Sequence, residues 1–416
     1  MTATPVYRNK LELTRAQAEK YPAIMNAPVE KLDYRGLMLR YQFQNAFDLY
    51  SGLPSAWCNF LIPSEIFHAM DIIPFVLENE AALLARTSQS RSFLESADAL
   101  TGFRDICSYQ RASLGAFLQE FLPKPTLIVN STMPCDSVGK LCEVLGKHYQ
   151  VPTFLLDIPY DRDEHSVRYL TAQIKKMVQF LADVTGRNLD PERLRHALSL
   201  SNESRADHVA ANVLRQEREP LIAGNECLGL FATAIITLGS GIGRLVYRRF
   251  REQLEKTAVS RSAEERERLS RDKRIVWYHF KPFFDDRLIR RMEEELGARI
   301  VFEVVNDVYW EPYDLDRPYE SLARKLLSMM LNGPLSFRLE NFVSAMERFR
   351  ADGVVNFLHF GCRHYNNGSV QFQLECRRRG IPYLGFDADC IDPSNYAEAQ
   401  LTTRVEAFVE SLYASA

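Results

Sequence analysis

The stretch Asp352-Gly353-Val354-Val355-Asn356-Phe357-Leu358-His359-Phe360-Gly361-Cys362-Arg363 decides how the chain is read. Its apolar run over 354–358 predicts a strand buried on both faces, as in a parallel sheet. The run ends in a Gly-Cys-Arg turn, and a helical pattern follows over 368–379. In open α/β sheets, ligands gather where strands end and helices begin. Cys362 stands at such a point, between the small Gly361 and the cationic Arg363.

Two other cysteines share this setting. Leu127-Ile128-Val129-Asn130 predicts a short strand, and the segment 131–136 after it carries Cys135. Cys107 lies in Arg104-Asp105-Ile106-Cys107-Ser108-Tyr109-Gln110-Arg111, just ahead of the helix that leads to that strand. Three cysteines in polar, turn-adjacent contexts point to a thiolate-bound metal centre. A plainer reading stands beside it. Free cysteine is a common small buried hydrophobe, and the spacing of Cys107, Cys135 and Cys362 matches no local zinc or ferredoxin pattern.

Bulk properties narrow the class. A chain of 416 residues is long enough for two or three domains, and 46% hydrophobic with 25% charged residues is ordinary for a globular protein. A net charge of −3 gives no basis for nucleic-acid binding. The first fifteen residues have no apolar signal core, and the apolar stretch 227–243 is broken by Thr233, Thr237, Gly239, Gly241 and Gly243, so no membrane span is expected. Eight cysteines without a secretory signal suit a reducing cytoplasm better than a disulfide scaffold.

The rest of the chain follows a βαβ rhythm. Residues 1–50 read as a helical, polar N-terminal arm. The segment from Trp57 runs as a strand into Pro63. Ser64 then opens a helix as an N-terminal cap, with Ile66, Met70 and Ile73 on one face. Phe75-Val76-Leu77 reads as a strand ending at Glu78-Asn79-Glu80, where Glu78 is placed to hydrogen-bond a ligand or to cap a helix. A helix over 107–121, the Cys135 strand, a helix over 137–149 and a strand over 153–158 complete a first α/β domain at 51–160. Residues 161–273 are helical throughout. A second α/β domain at 274–416 opens with Ile275-Val276-Trp277-Tyr278 and contains the Cys362 strand. The predicted fold is therefore α/β: two Rossmann-like parallel-sheet domains joined by a helical segment.

Other motifs carry less. Gly239-Ser240-Gly241-Ile242-Gly243 lacks the spacing and context of a dinucleotide loop and reads as a helix break, and no Gly-x4-Gly-Lys-Ser/Thr phosphate loop is present. His359 reads as a hydrogen-bonded histidine of the core or rim. Asp387 and Asp389 read as caps or substrate contacts.

An ordered set of marks makes the chain similar to a known family. They are Pro63-Ser64-Glu65 with Pro74, Leu77-Glu78-Asn79, Cys107-Ser108-Tyr109 with Arg111 and Gly115, Cys135-Asp136, and Asp157-Ile158-Pro159 after Pro152. The set continues through the segment 306–310, Asp352-Gly353, Cys362-Arg363, Gly380-Ile381-Pro382, Asp387 with Asp389, and the segment 403–408. With these the chain resembles the 2-hydroxyacyl-CoA dehydratase component D family, which includes the ATP-dependent benzoyl-CoA reductase core subunits. The resemblance covers residues 50–412.

The resemblance implies a [4Fe–4S] cluster held by Cys107, Cys135 and Cys362. It also implies a second, related core subunit, a separate ATP-hydrolysing iron–sulfur activator, and an acyl-CoA substrate that loses water through a ketyl radical. The absence of an ATPase motif fits the electron-accepting partner. No cysteine lies between Cys227 and Cys362, which argues against a double cubane. Cys58 is expected beside the site, and Cys142, Cys227, Cys376 and Cys390 in packing. Two further readings belong to the same resemblance: reduction of an aromatic acyl-CoA ring, and a non-catalytic electron-relay or scaffold partner.

Overall fold

The computed structural model describes residues 5–414. Among them, eight strands form two four-stranded sheets that are parallel throughout. The first holds β1 (Ser55–Cys58), β2 (Ile73–Val76), β3 (Leu127–Ser131) and β4 (Thr153–Leu156), in the order β2-β1-β3-β4. The second holds β5 (Lys273–Tyr278), β6 (Ala298–Glu303), β7 (Gly353–His359) and β8 (Tyr383–Ala388), in the equivalent order β6-β5-β7-β8. In each sheet the chain steps from its first strand to one side and then crosses to the other. The turns after β1 and β3, and those after β5 and β7, therefore diverge and leave a crevice at the carboxyl end.

The apolar run around Val354 becomes β7, in the middle of the second sheet. It pairs with β5 from Ile275↔Gly353 and with β8 from Val354↔Tyr383. Trp57 on β1 and Trp277 on β5 are fully buried, each one residue before its strand ends. Truncating either to alanine removes about 3–5 kcal/mol of packing.

One helical layer serves both sheets. The helices Leu77–Arg86, Ser90–Thr101 and Ser108–Leu118 send Leu77, Leu84, Phe93 and Phe117 against Trp57, Phe75 and Ile128 of the first sheet. Their other faces, with Ala81, Ala85, Leu94 and Ala112, meet Trp277, Phe357 and Phe386 of the second. The helices Glu164–Thr185, Pro191–Leu214 and Pro318–Ser328 cover the far face of the first sheet. Leu335–Arg348 and Ser369–Arg379 cover that of the second. The N-terminal region is helical, at Lys10–Ala18 and Tyr34–Asp48. It packs down through Leu13 and Leu37, and Lys10 forms a buried ion pair with Glu80 at 2.5 Å.

Three local expectations change. The helix after Pro63 stops at Ala69, and Asp71 takes a left-handed φ of +53°, so Ile73 sits on β2 and not on the helix face. Pro74 has no N–H to give, which suits β2 to its place at the sheet edge. Ser64 is no cap: Pro63 holds that position, and the Ser64 hydroxyl hydrogen-bonds the carbonyls of Ile235 and Leu238, both at 2.9 Å. The strand at Phe75 ends at Val76, and Leu77 already begins a helix, so Glu78 lies in a first helical turn. Among the described residues, no helix is long and apolar enough to cross a membrane.

Candidate functional site

The carboxyl ends of both sheets face one cavity. The first sheet contributes Phe60 after β1, Glu78 and Asn79 after β2, and Pro134 and Cys135 after β3. The second contributes His279, Phe280 and Phe283 after β5, with His359, Cys362, His364 and Tyr365 at the end of β7 and beyond. Cys107, Tyr109 and Gln110 enter from the start of the helix Ser108–Leu118. Both topological switch points thus open into the same space.

Cys107, Cys135 and Cys362 come together there although 255 residues separate the outer two (362 − 107). They are the three of the eight cysteines that are not fully buried. Cys58, Cys142, Cys227, Cys376 and Cys390 are buried. Each of the three occupies the residue before a helix: Ser108–Leu118, Asp136–Tyr149 and the single turn Arg363–Asn366. Backbone N–H groups of those first turns face the sulfurs, from Tyr109 to Cys107, from Ser137 and Val138 to Cys135, and from His364 and Tyr365 to Cys362. Such N–H groups favour negative charge. The same three cysteines also line a second cavity on the outer side, with Leu114, Leu141 and Val144.

Burial raises all three thiol pKa values, that of Cys362 to about 11. Mutual repulsion between the cysteines adds to the shift at Cys107 and Cys362. Buried, mutually repelling thiols of this kind ionise readily beside a positive partner such as a metal. Among the described residues, no three His, Cys, Asp or Glu side chains converge on a point where one ion would sit. The three cysteines line one cavity instead. Soft donors spaced around a cavity suit a polynuclear iron–sulfur group better than a single hard cation.

Gly361 allows this approach. It has φ +77°, and a Cβ there would stand 2.7 Å from the Cys107 backbone nitrogen and 2.8 Å from the Ile106 carbonyl carbon. Polar contacts fix the Cys107 segment against the second sheet. Ser108 Oγ donates to Asp389 Oδ1 at 2.5 Å, and the buried Arg111 pairs with Asp98 at 2.7 Å and Asp392 at 3.1 Å. Asp389 also accepts the N–H groups of Ile391 and Asp392, so it acts as a cap. Asp387 is exposed and outside the cavity lining.

His359 is fully buried and bridges these parts. Its Nδ1 accepts the Cys390 N–H at 3.2 Å, which leaves the proton on Nε2, 3.4 Å from Cys107 Sγ. Burial lowers its pKa, so the neutral ring donates an N–H···S hydrogen bond.

Glu78 has its pKa raised to about 7 by burial, with Gln110 opposing the shift in part, and its Oε2 has no hydrogen-bond partner. His279 Nδ1, His364 Nε2 and Tyr365 Oη are likewise buried without partners. Burial holds both histidines neutral, His364 at about 4. Among the described residues, no lysine or arginine lines the cavity. Its walls are aromatic, with Phe60, Phe231, Phe280 and Phe283.

Sequence reading placed Cys107, Cys135, Cys362 and Glu78, and the structure brings all four to one cavity. It missed His279, His364 and Tyr365. His279 stands at the end of β5 with φ +89°, a backbone state rare outside glycine that gathers at functional sites. Its position at a strand end was the available signal.

Known proteins resemble this chain over most of its length. The family model described as 2-hydroxyglutaryl-CoA dehydratase, D-component, matches residues 59–412. The (R)-phenyllactyl-CoA dehydratase alpha subunit of Clostridium sporogenes is 23% identical, over 86% of this chain and 89% of its own. The (R)-2-hydroxyisocaproyl-CoA dehydratase alpha subunit of Clostridioides difficile is 22% identical, over 90% and 94%. A benzoyl-CoA reductase subunit of Thauera aromatica is 23% identical, over 83% and 86%. A match across nearly all the strands and every cavity-lining segment places the chain in the 2-hydroxyglutaryl-CoA dehydratase D-component family.

Proposed function

We propose that the chain is the iron–sulfur core subunit of a radical 2-hydroxyacyl-CoA dehydratase. The observation that carries the reading is the convergence of Cys107, Cys135 and Cys362 at the switch points of two parallel sheets. These three residues would hold a [4Fe–4S] cluster. When bound, that group supplies one-electron and Lewis-acid chemistry at the thioester.

The chain's own residues set the conditions for the reaction. Aromatic walls exclude water from the acyl group. Glu78, with a pKa of about 7, holds or accepts a proton near the substrate hydroxyl and the carbon beside it. The first-turn N–H groups facing the sulfurs, with the His359 hydrogen bond to Cys107, steady the negative charge of the thiolates. A cavity whose described lining has no cation gives a second carboxylate no partner, so the acyl chain is apolar or aromatic.

Relatives named as single subunits of dehydratases and of a reductase support a partner subunit, and the chain's lack of an ATPase motif supports a separate ATP-hydrolysing activator. The benzoyl-CoA reductase relative, together with the aromatic walls, favours ring reduction as the second reading. The test is anaerobic turnover by the chain with partner and activator. Conversion of an apolar 2-hydroxyacyl-CoA to its 2-enoyl-CoA is expected. Reduction of benzoyl-CoA without any dehydration would replace the first reading by the second.

A further inference from the structure

A polar, open cleft adjoins the cavity, and Phe283 lines both. We infer that this cleft binds the phosphate groups of the coenzyme A carrier, with Arg86 and Lys281 as their principal partners. The inference rests on the acyl-CoA reading above and adds a location to it.

The helix Leu77–Arg86 connects the two spaces. Glu78 and Ala82 line the inner cavity and Arg86 the outer cleft. Positions four and eight residues apart lie on one helix face, so the three form a row about 12 Å long. A thioester beside Glu78 would send its arm past the small Ala82 and emerge at Arg86. Phe283 flanks the same path.

Charge pairing singles out two cations. Arg35 pairs with Glu226, Arg287 with Asp285 at 2.7 Å, and Arg290 with Asp286 at 2.9 Å. Arg86 has no hydrogen bond or ion pair among the described residues, and Lys281 donates only to Asn225, at 2.8 Å to its carbonyl. Three carboxylates thus oppose five cations in the lining and leave two positive charges over. Arg86 is exposed to the cleft, whereas Lys281 is half-buried and burial lowers its pKa to about 8. Cations with no carboxylate hydrogen-bonded to them gain from a phosphate, which offers charge and several acceptor oxygens at once.

The test is calorimetric titration of the full chain with coenzyme A, with adenosine 3′,5′-bisphosphate, and with pantetheine, which has no phosphate. Arg86→Gln and Lys281→Gln should each weaken coenzyme A and the bisphosphate roughly ten- to hundredfold, the scale of a lost charged hydrogen bond, and leave pantetheine unchanged. Arg86→Lys should keep most of the affinity, and remote Lys147→Gln all of it. Wild-type binding of coenzyme A with no loss in either glutamine variant would overturn the cleft and leave the acyl-CoA reading standing. Failure of the wild type to bind coenzyme A or pantetheine would overturn that reading, and the cleft with it.

Discussion

Glu78 and His359 are the residues whose roles are most exposed to experiment. Burial raises the Glu78 pKa from about 4.5 to about 7. The folded state therefore binds a proton over that range more tightly than the unfolded state. Stability contributed by the protonated group is fully present below the unfolded value and is lost as pH rises through the folded one. Glu78→Gln should be nearly neutral at pH 4 and should raise stability by on the order of 2–3 kcal/mol at pH 8, while lowering turnover. Denaturant midpoints of both proteins across that range measure it, and parallel curves would remove the buried carboxyl from the reading. His359 donates to Cys107 through Nε2. Replacing it with phenylalanine removes a hydrogen bond that stabilises negative charge, so the midpoint potential of the reconstituted centre should fall. An unchanged potential in an anaerobic redox titration would leave His359 with packing alone.

At the scale of elements, Gly361 and the turn after β7 matter most. A Cβ there would meet the Cys107 backbone in a left-handed conformation, so Gly361→Ala should cost about 1–3 kcal/mol and reduce bound iron by pushing two ligand segments apart. Full iron content in a stably folded Gly361→Ala protein would show that the two segments tolerate separation. This turn was legible in the sequence, because the apolar run of β7 ends abruptly at Gly361-Cys362. The region 64–80 was less so. Ile66, Met70 and Ile73 fall at helical spacing, yet Asp71 breaks the helix and the strand β2 leads directly into the next one. Spacing alone does not separate a short strand wedged between helices from their continuation. His279 was missed for a related reason: its chemistry arises from burial and an unusual φ, which only tertiary packing creates.

At the scale of the molecule, two sheets of equivalent strand order face one cavity and share one helical layer. The parallel sheets were readable from alternating apolar runs and helical patterns. Their convergence was not, since it depends on how the shared helices pack. This arrangement supplies rigid strand ends around a cation-poor, aromatic cavity. Apolar 2-hydroxyacyl-CoA substrates should therefore exceed a dicarboxylic one such as 2-hydroxyglutaryl-CoA at least tenfold in kcat/KM, as expected for an unpaired buried carboxylate. Equal turnover of the two classes would contradict the reading of the cavity. The claim beneath all of this is that Cys107, Cys135 and Cys362 hold iron. It is tested by counting iron and sulfide in the anaerobically purified protein and in two serine variants handled together. Cys135→Ser should lose most of the iron and keep its fold, because a hydroxyl is a poor ligand for a soft centre. Cys142→Ser, seven residues on and buried in the first core, should keep its iron and lose at most roughly 1–2 kcal/mol of stability. Equal iron in the two variants, or none in the wild type, would contradict the proposed centre.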